Sequence, residues 1–193
     1  MGYHRAGFEV VGVDINPQPR YPFEFHQGDA LTFDVHGFDA IHASPPCQGY
    51  SVLAAMHPDR KKAYPRLIAK TRGVISGVPH VIENVPGAPL NNPLVLCGSQ
   101  FGLRIPRGWL KRHRLFECSF PVSQPDCRHP KDEHAVGVYG HGGHSGKHRM
   151  LYRAEAAQIL DIDWMNRDEL AQSIPPAYTE YIGKQLLKHL GGL

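Results

Sequence analysis

The chain has little of several things that would have narrowed its class at once. Its 193 residues hold four cysteines, four methionines and two tryptophans, and its charges nearly balance at +3. Cys47, Cys97, Cys118 and Cys127 are too few and too scattered for a disulfide framework, which excludes a small cross-linked scaffold and points to a reducing compartment, the cytoplasm. No apolar run approaches the ~18 residues of a membrane helix, so no membrane partner is expected. The opening residues MGYHRAGFE lack the apolar centre of a secretory signal, and the myristoylation pattern fails for want of Ser or Thr at position six. The small net charge permits a polyanionic partner without demanding one. Internal repeats are also missing.

What is present is the composition of one soluble domain with many turns: 41% hydrophobic residues, 20% charged, 20 glycines and 17 prolines. Two short apolar stretches, FEVVGVDIN at 8–16 and FDAIHAS at 38–44, read as buried strands, with HVIENV at 80–85 as a third. KKAYPRLIAKTRGVIS, residues 61–76, has helical spacing at Leu67, Ile68, Val74 and Ile75. Strand, helix, strand is the order of an α/β fold with a mostly parallel sheet. LKRHRLFECSF at 110–120 reads as one further strand, and 121–149 as loop. RAEAAQILDI at 153–162 has the pattern of an amphipathic helix, and Pro175-Pro176 separates a short helix from a final one.

The stretch SPPCQGYS, residues 44–51, places a cysteine just past a strand end and two ring-locked prolines. In α/β sheets the crevice beyond the carboxyl ends of the strands is where ligands bind. Asp14, Cys47 and the Glu83-Asn84 pair all fall at such ends, so a thiol, a carboxyl group and a ribose-binding acid are expected in one cleft, which suggests chemistry on a nucleotide-like substrate. Each has a plainer reading. Cys47 suits an inert buried thiol, Glu83 a helix cap, Asp14 a solvated acid, Asp29 a turn, and Arg112 with Arg114 a charge-blunted strand edge.

Taken in order, these motifs resemble those of the cytosine-C5 DNA methyltransferases. Pro46-Cys47-Gln48 matches the family's Pro-Cys-Gln loop, and Glu83-Asn84-Val85 its Glu-Asn-Val strand end. Residues 110–114, LKRHR, match the Gln-x-Arg-x-Arg strand in both arginines but carry Leu110 where the family has glutamine. AGFEVVGVD and GDAL resemble the segments that hold the cofactor's ribose and adenine, and RAEAAQILDID with QSIPPAYTEYIG resembles the last two motifs, with Gln172-Ser173 in place of a Gly-Asn pair.

The resemblance implies a Rossmann-like sheet that binds S-adenosylmethionine through Asp14, Ile15, Asp29, Ala30 and Pro46. It implies Cys47 as the nucleophile at C6 of cytosine, Glu83 as the acid at N3, Arg114 on the carbonyl oxygen of the base and Arg112 on the Cys47 loop and phosphate. Substrate contacts fall to Gln48, Ser51 and Asn84 and, in the basic insert, to Arg128, Lys147 and Arg149. The partner is DNA with its cytosine flipped out, and the protein a monomer. The expected organisation is a core over 1–114, a small target-recognition-like insert over 115–150, and C-terminal helices over 151–193 that complete the core.

Two departures stand out. The family's first strand and Gly-rich cofactor loop precede the segment that MGYHRAGF resembles, so a truncated start is expected, with cofactor binding affected. The interval between Arg114 and Arg153 is much shorter than the family's recognition domain. Alternatives are the same chemistry on RNA or a free cytidine nucleotide, and an inactive relic that only binds nucleic acid. Cys118, Cys127, His129, His134, His141, His144 and His148 could also supply four ligands to a structural zinc, but their spacing matches no recognised pattern, so no metal is assigned.

Overall fold

The computed structural model describes residues 1–50, 64–139 and 149–191, with backbone alone at 149 and 150. The fold is mixed α/β. Helix α1 (Gly2–Arg5) leads into β1 (Val11–Asp14), which pairs in parallel with β2 (Glu24–Gln27) as a two-stranded ladder. A four-stranded sheet follows the order β3 (Ile41–Ala43), β4 (His80–Asn84), β8 (Arg114–Cys118), β5 (Leu94–Leu96). A second four-stranded sheet has the order β10 (Arg149–Met150), β9 (Ala135–Gly137), β7 (Gly108–Leu110), β6 (Arg104–Ile105). Helix α2 (Ile68–Ile75) lies between β3 and β4, and α3 (Arg153–Leu160), α4 (Arg167–Gln172) and α5 (Pro176–His189) close the chain.

The expected mostly parallel sheet is corrected in part. β3 and β4 are parallel, as a crossover through α2 requires, but β8 runs antiparallel to both β4 and β5. The path from β5 to β8 passes through the β6–β7 hairpin instead of a crossover helix, and only a crossover would enforce parallel pairing. Residues 110–120 likewise form two strand pieces, because Lys111, Arg112 and His113 turn a corner from one sheet into the other. The interval over 121–149 holds more regular structure than its composition suggests. β9 adds beside β7, and Val136 and Val138 are fully buried with Leu110, Leu151, Ile159 and Leu160 in one of two cores. The insert is thus stitched into the body of the protein.

The second core joins Val81, Leu94, Leu96 and Phe116 of the sheet to Tyr178, Ile182 and Leu186 of α5. That helix starts where Pro176 occupies its first turn, a position whose missing N–H costs nothing. α1 packs on it closely, since a Cβ at Gly2 would collide with Thr179 and with the Pro176 carbonyl. α4 begins with a reciprocal cap: Asn166 accepts from the Asp168 and Glu169 amides, and Glu169 accepts from the Asn166 amide.

No ladder joins β1 to β3 among the described residues. A groove of about 670 Å³ is lined by both, with Val11, Val13 and Asp14 from one and Ile41, His42 and, from β4, Glu83. No helix among the described residues is long and apolar enough to cross a membrane.

Candidate functional sites

Cys47 follows β3 by way of Ser44, Pro45 and Pro46, in a tight turn closed by the Tyr50 amide donating to the Cys47 carbonyl at 2.9 Å. Pro45 is buried, Cys47 half-buried, and Pro46 and Gln48 exposed. One residue fastens this loop to the sheet. Asn84, 1% exposed at the end of β4, donates through Nδ2 to the Pro45 carbonyl at 2.8 Å and accepts the Val85 amide at 3.0 Å. Its side chain is therefore committed to the loop, and the expected substrate contact becomes a positioning one.

Glu83, the preceding residue, is 6% exposed and pairs with Arg114 Nε at 3.1 Å across the β4–β8 ladder. Burial raises its pKa above the ordinary carboxylate value, a rise that Arg114, a hydrogen bond from Ser44 and the charge of Arg112 only partly offset. Ser44 also contacts His42 Nε2 at 3.1 Å, and His42 Nδ1 contacts the Tyr3 hydroxyl at 2.8 Å. Burial brings His42 down to about 4, so it is neutral at physiological pH. A chain of polar contacts thus runs from Tyr3 through His42 and Ser44 to Glu83 and Arg114.

Arg112 departs from its expected part. It is 2% exposed and donates to the carbonyls of Val138, Ala171 and Ser173, while Tyr178 donates to the Arg112 carbonyl at 2.7 Å. These contacts knit the two sheets to the C-terminal helices and leave the guanidinium no exposure for phosphate.

Four of the residues expected at the cofactor, Asp14, Ile15, Asp29 and Ala30, gather at the carboxyl ends of β1 and β2, joined where the Gly28 amide donates to the Asp14 carbonyl, whereas Pro46 lies apart in sequence, after β3. Asp14 caps a turn by accepting the Asn16 amide at 2.8 Å, and Ile15 beside it is 68% exposed. Asp29 accepts the Leu31 amide at 2.9 Å in an exposed turn, and Ala30 is exposed too. Arg128 is exposed and pairs with Asp126 at 2.8 Å. Arg149 lies in β10, described by its backbone only, and Ser51 and Lys147 fall outside the described residues.

Sequence pattern does not mark a second constellation. Cys97, His113, Cys127 and His129 bring their ligand atoms within 4.8 Å of one another. Cys127 Sγ stands 3.2 Å from His129 Nε2 and 3.6 Å from His113 Nε2, the two ring nitrogens are 3.2 Å apart, and Cys97 Sγ is 3.7 Å from His129 Nε2. Burial pushes the Cys97 thiol up, but hydrogen bonds from His113 and Ser99 outweigh it and bring it down to about 5. Only Cys127 and His129 belong to the set that the histidine-rich interval suggested; Cys118 and His134 are not in the cluster, and His141, His144 and His148 lie outside the described residues. The signal available was the pair Cys127-x-His129, whose partners sit 14 and 30 residues upstream. No protein-family model matches the chain, and no curated protein matches it.

Proposed function

We propose that this chain is a methyltransferase that moves a methyl group from S-adenosylmethionine to C5 of cytosine in DNA, on a Rossmann-like core. One observation carries the reading most: a buried carboxyl group with a raised pKa, Glu83, paired with Arg114 and next in sequence to the asparagine that ties down the Cys47 loop.

The residues around the groove suit a nucleoside. Asp14, which lines the groove, offers a carboxylate at a strand end, where such folds hold ribose hydroxyls, and Ile15, next to it outside the lining, offers exposed apolar surface for a base. Asp29 and Ala30 flank them on the parallel strand's turn. When bound, the cofactor supplies an electrophilic methyl on its sulfonium. The same groove is lined by Asp14, Ser44 and Glu83, so the proposed cofactor acid and the proposed proton donor face one space.

On this reading the Cys47 thiolate forms a bond to C6, while Glu83 delivers its proton to N3, and the ring's electrons move to C5. A carboxyl group held above its ordinary pKa is suited to that donation, since a proton is available to give closer to neutral pH. Arg114, on the other side of Glu83, is positioned for the carbonyl oxygen of the ring, where negative charge grows as the thiolate adds. After C5 has gained the methyl group, a base takes its proton, the C6–S bond breaks, and the thiolate and the Glu83 proton return to their starting places. Asn84 acts through the Pro45 carbonyl, holding the nucleophile's loop in register.

The test is a denaturing gel of the chain with S-adenosylmethionine and a duplex carrying 5-fluorocytosine, whose C5 substituent cannot leave as a proton does. A slow band that requires both the cofactor and Cys47, and is lost in Cys47→Ser, is expected. A folded protein that gives no band overturns the reading. The same assay on an RNA oligonucleotide separates the two substrate classes.

A further inference from the structure

The four side chains gathered between the sheets match no need of the methyl-transfer site. Cys97 directly follows β5, His113 directly precedes β8, and Cys127 and His129 lie two residues apart in the segment between β8 and β9. Gly98 lets the Cys97 turn come close to β7, because a Cβ there would run into the Leu110 carbonyl. Three separate segments are thus bent toward one point.

The distances at that point have a specific shape. A tetrahedral zinc with Zn–S of about 2.3 Å and Zn–N of about 2.0–2.1 Å sets its ligand atoms apart by roughly 3.3 Å for two nitrogens and roughly 3.6 Å for nitrogen and sulfur. The structure has 3.2 Å between the two Nε2 atoms and 3.2, 3.6 and 3.7 Å for three nitrogen–sulfur pairs. Hydrogen bonds alone account for this poorly. Cys127 Sγ and the two imidazole nitrogens form a closed triangle, and each ring nitrogen has a single proton or lone pair directed along its own axis. A cation among the four atoms satisfies every one of them together.

We propose that Cys97, His113, Cys127 and His129 bind one zinc ion as a structural Cys2His2 site. Thiolate and imidazole in a tetrahedral arrangement favour zinc over harder divalent ions. Four protein ligands leave no position for water or substrate, so the ion holds structure and performs no Lewis-acid step. The surroundings agree with this. Ser99 Oγ lies 3.7 Å from Cys127 Sγ, and the Trp109 ring, 4% exposed, covers the His129 ring with centroids 4.8 Å apart.

The segment being held is anchored toward its ends, where Ser119 bonds His80, Ser123 bonds Gln185 and Tyr181, Glu133 pairs with Arg104, and the His134 carbonyl accepts the Trp109 amide. Residues 119–134 form no helix or strand, and most of them are exposed. Gln124 bonds both backbone groups of Val95, and Gln100 bonds the Pro125 carbonyl at 2.7 Å, so the segment is tied to the turn after β5 on one side of the cluster. Zinc would fasten its remaining length, Cys127 to His129, to the corner at His113. That corner lies between Arg112 and Arg114, so the metal also fixes where β8 begins.

Metal analysis of protein purified without chelator tests this. One zinc per chain by native mass spectrometry is expected, together with the visible bands of tetrahedral cobalt and a thiolate-to-cobalt charge-transfer band after cobalt exchange. Cys118→Ser, whose thiol is outside the cluster, should keep the metal, whereas Cys127→Ser and His129→Ala should lose it. Should those variants fail to fold, hydrogen exchange on the unaltered protein decides: stripping the ion should speed exchange over 123–134 and leave β4 protected. A folded protein that carries no zinc and gives no tetrahedral cobalt spectrum overturns the proposal, as does a mass two protons lighter from a Cys97–Cys127 disulfide.

Discussion

Two loop cysteines of this chain, Cys47 and Cys127, have different surroundings, and the two proposals give them opposite tasks. Cys47 stands on a half-buried turn after β3, fastened indirectly through Asn84 and Pro45, and Asn84 is next in sequence to Glu83 of the carboxyl–guanidinium pair. Cys127, although exposed, has three other ligand atoms gathered within 4.8 Å of its sulfur. A thiol without such neighbours can add to something and leave again; one among three other ligand atoms is suited to being held. What separates them is the number of partners that converge, since both residues are loop cysteines by sequence. Three successive residues where the corner runs into β8 carry the contrast further: Arg112 binds framework carbonyls, His113 faces the cluster, and Arg114 faces Glu83.

The sharpest way to break the comparison is to remove each thiol. Cys47→Ser should lower methyl transfer by on the order of 10⁴-fold or more, the scale on which loss of a nucleophile acts, with an unchanged melting curve. Cys127→Ser should do the reverse in character, lowering the melting temperature and the metal content first and activity only in proportion to lost fold. If Cys127→Ser abolished transfer while stability was kept, the two thiols would belong to one site. Glu83→Gln, which keeps size and shape but has no proton to give, should cost about 10²- to 10⁴-fold in rate.

Glu83 also predicts a pH dependence of stability. Its folded pKa is raised, so its protonated form is the one folding favours. The contribution is fully present below the unfolded carboxylate value, about 4.3, and is lost as pH rises through the higher folded value. Denaturant midpoints of the parent chain should therefore fall across that window more than those of Glu83→Gln, after the other carboxylates' shared trend is subtracted. Equal slopes would mean that Arg114 fully compensates the burial.

How much of this was legible beforehand differs between the two sites for a physical reason. Asp14, Cys47 and Glu83 lie at strand ends, and strand ends follow from short apolar runs that stop at polar residues, so their positions were readable from local pattern. The role of Asn84 was not, because its partner is a backbone carbonyl 39 positions away that no side-chain pattern marks. The cluster was hidden for the same cause. Cys97 and His113 have no metal-like spacing, and only the β6–β7 hairpin and the corner after it carry them to Cys127 and His129. The sheet direction failed where chain path outweighed pattern: a five-residue strand such as RLFEC looks alike in either orientation, and β8 owes its antiparallel setting to the hairpin before it.

A smaller effect is expected from the loop anchor. Asn84→Ala leaves the Pro45 carbonyl without its buried partner, which should cost about 1–3 kcal/mol of stability. Because the asparagine acts through the loop, kcat should fall more than KM rises, and the 5-fluorocytosine adduct should form slowly but still reach completion. A variant that bound DNA poorly yet reacted at the normal rate once bound would return Asn84 to the substrate and leave the loop held by its prolines alone.

The mildest change concerns Arg128, one residue from the cluster's Cys127 and exposed on the surface with Asp126. If the segment between β8 and β9 faces nucleic acid, Arg128→Ala should leave one phosphate un-neutralised and lower the slope of log affinity against log salt by about one, equally for all sequences. Stability should stay where it was, since a solvated ion pair on the surface contributes little. The two halves of the comparison meet in this variant. Stripping the zinc should remove the same salt dependence as the alanine does, because an unfastened segment cannot hold its arginine in place, whereas Cys47→Ser should leave the slope untouched.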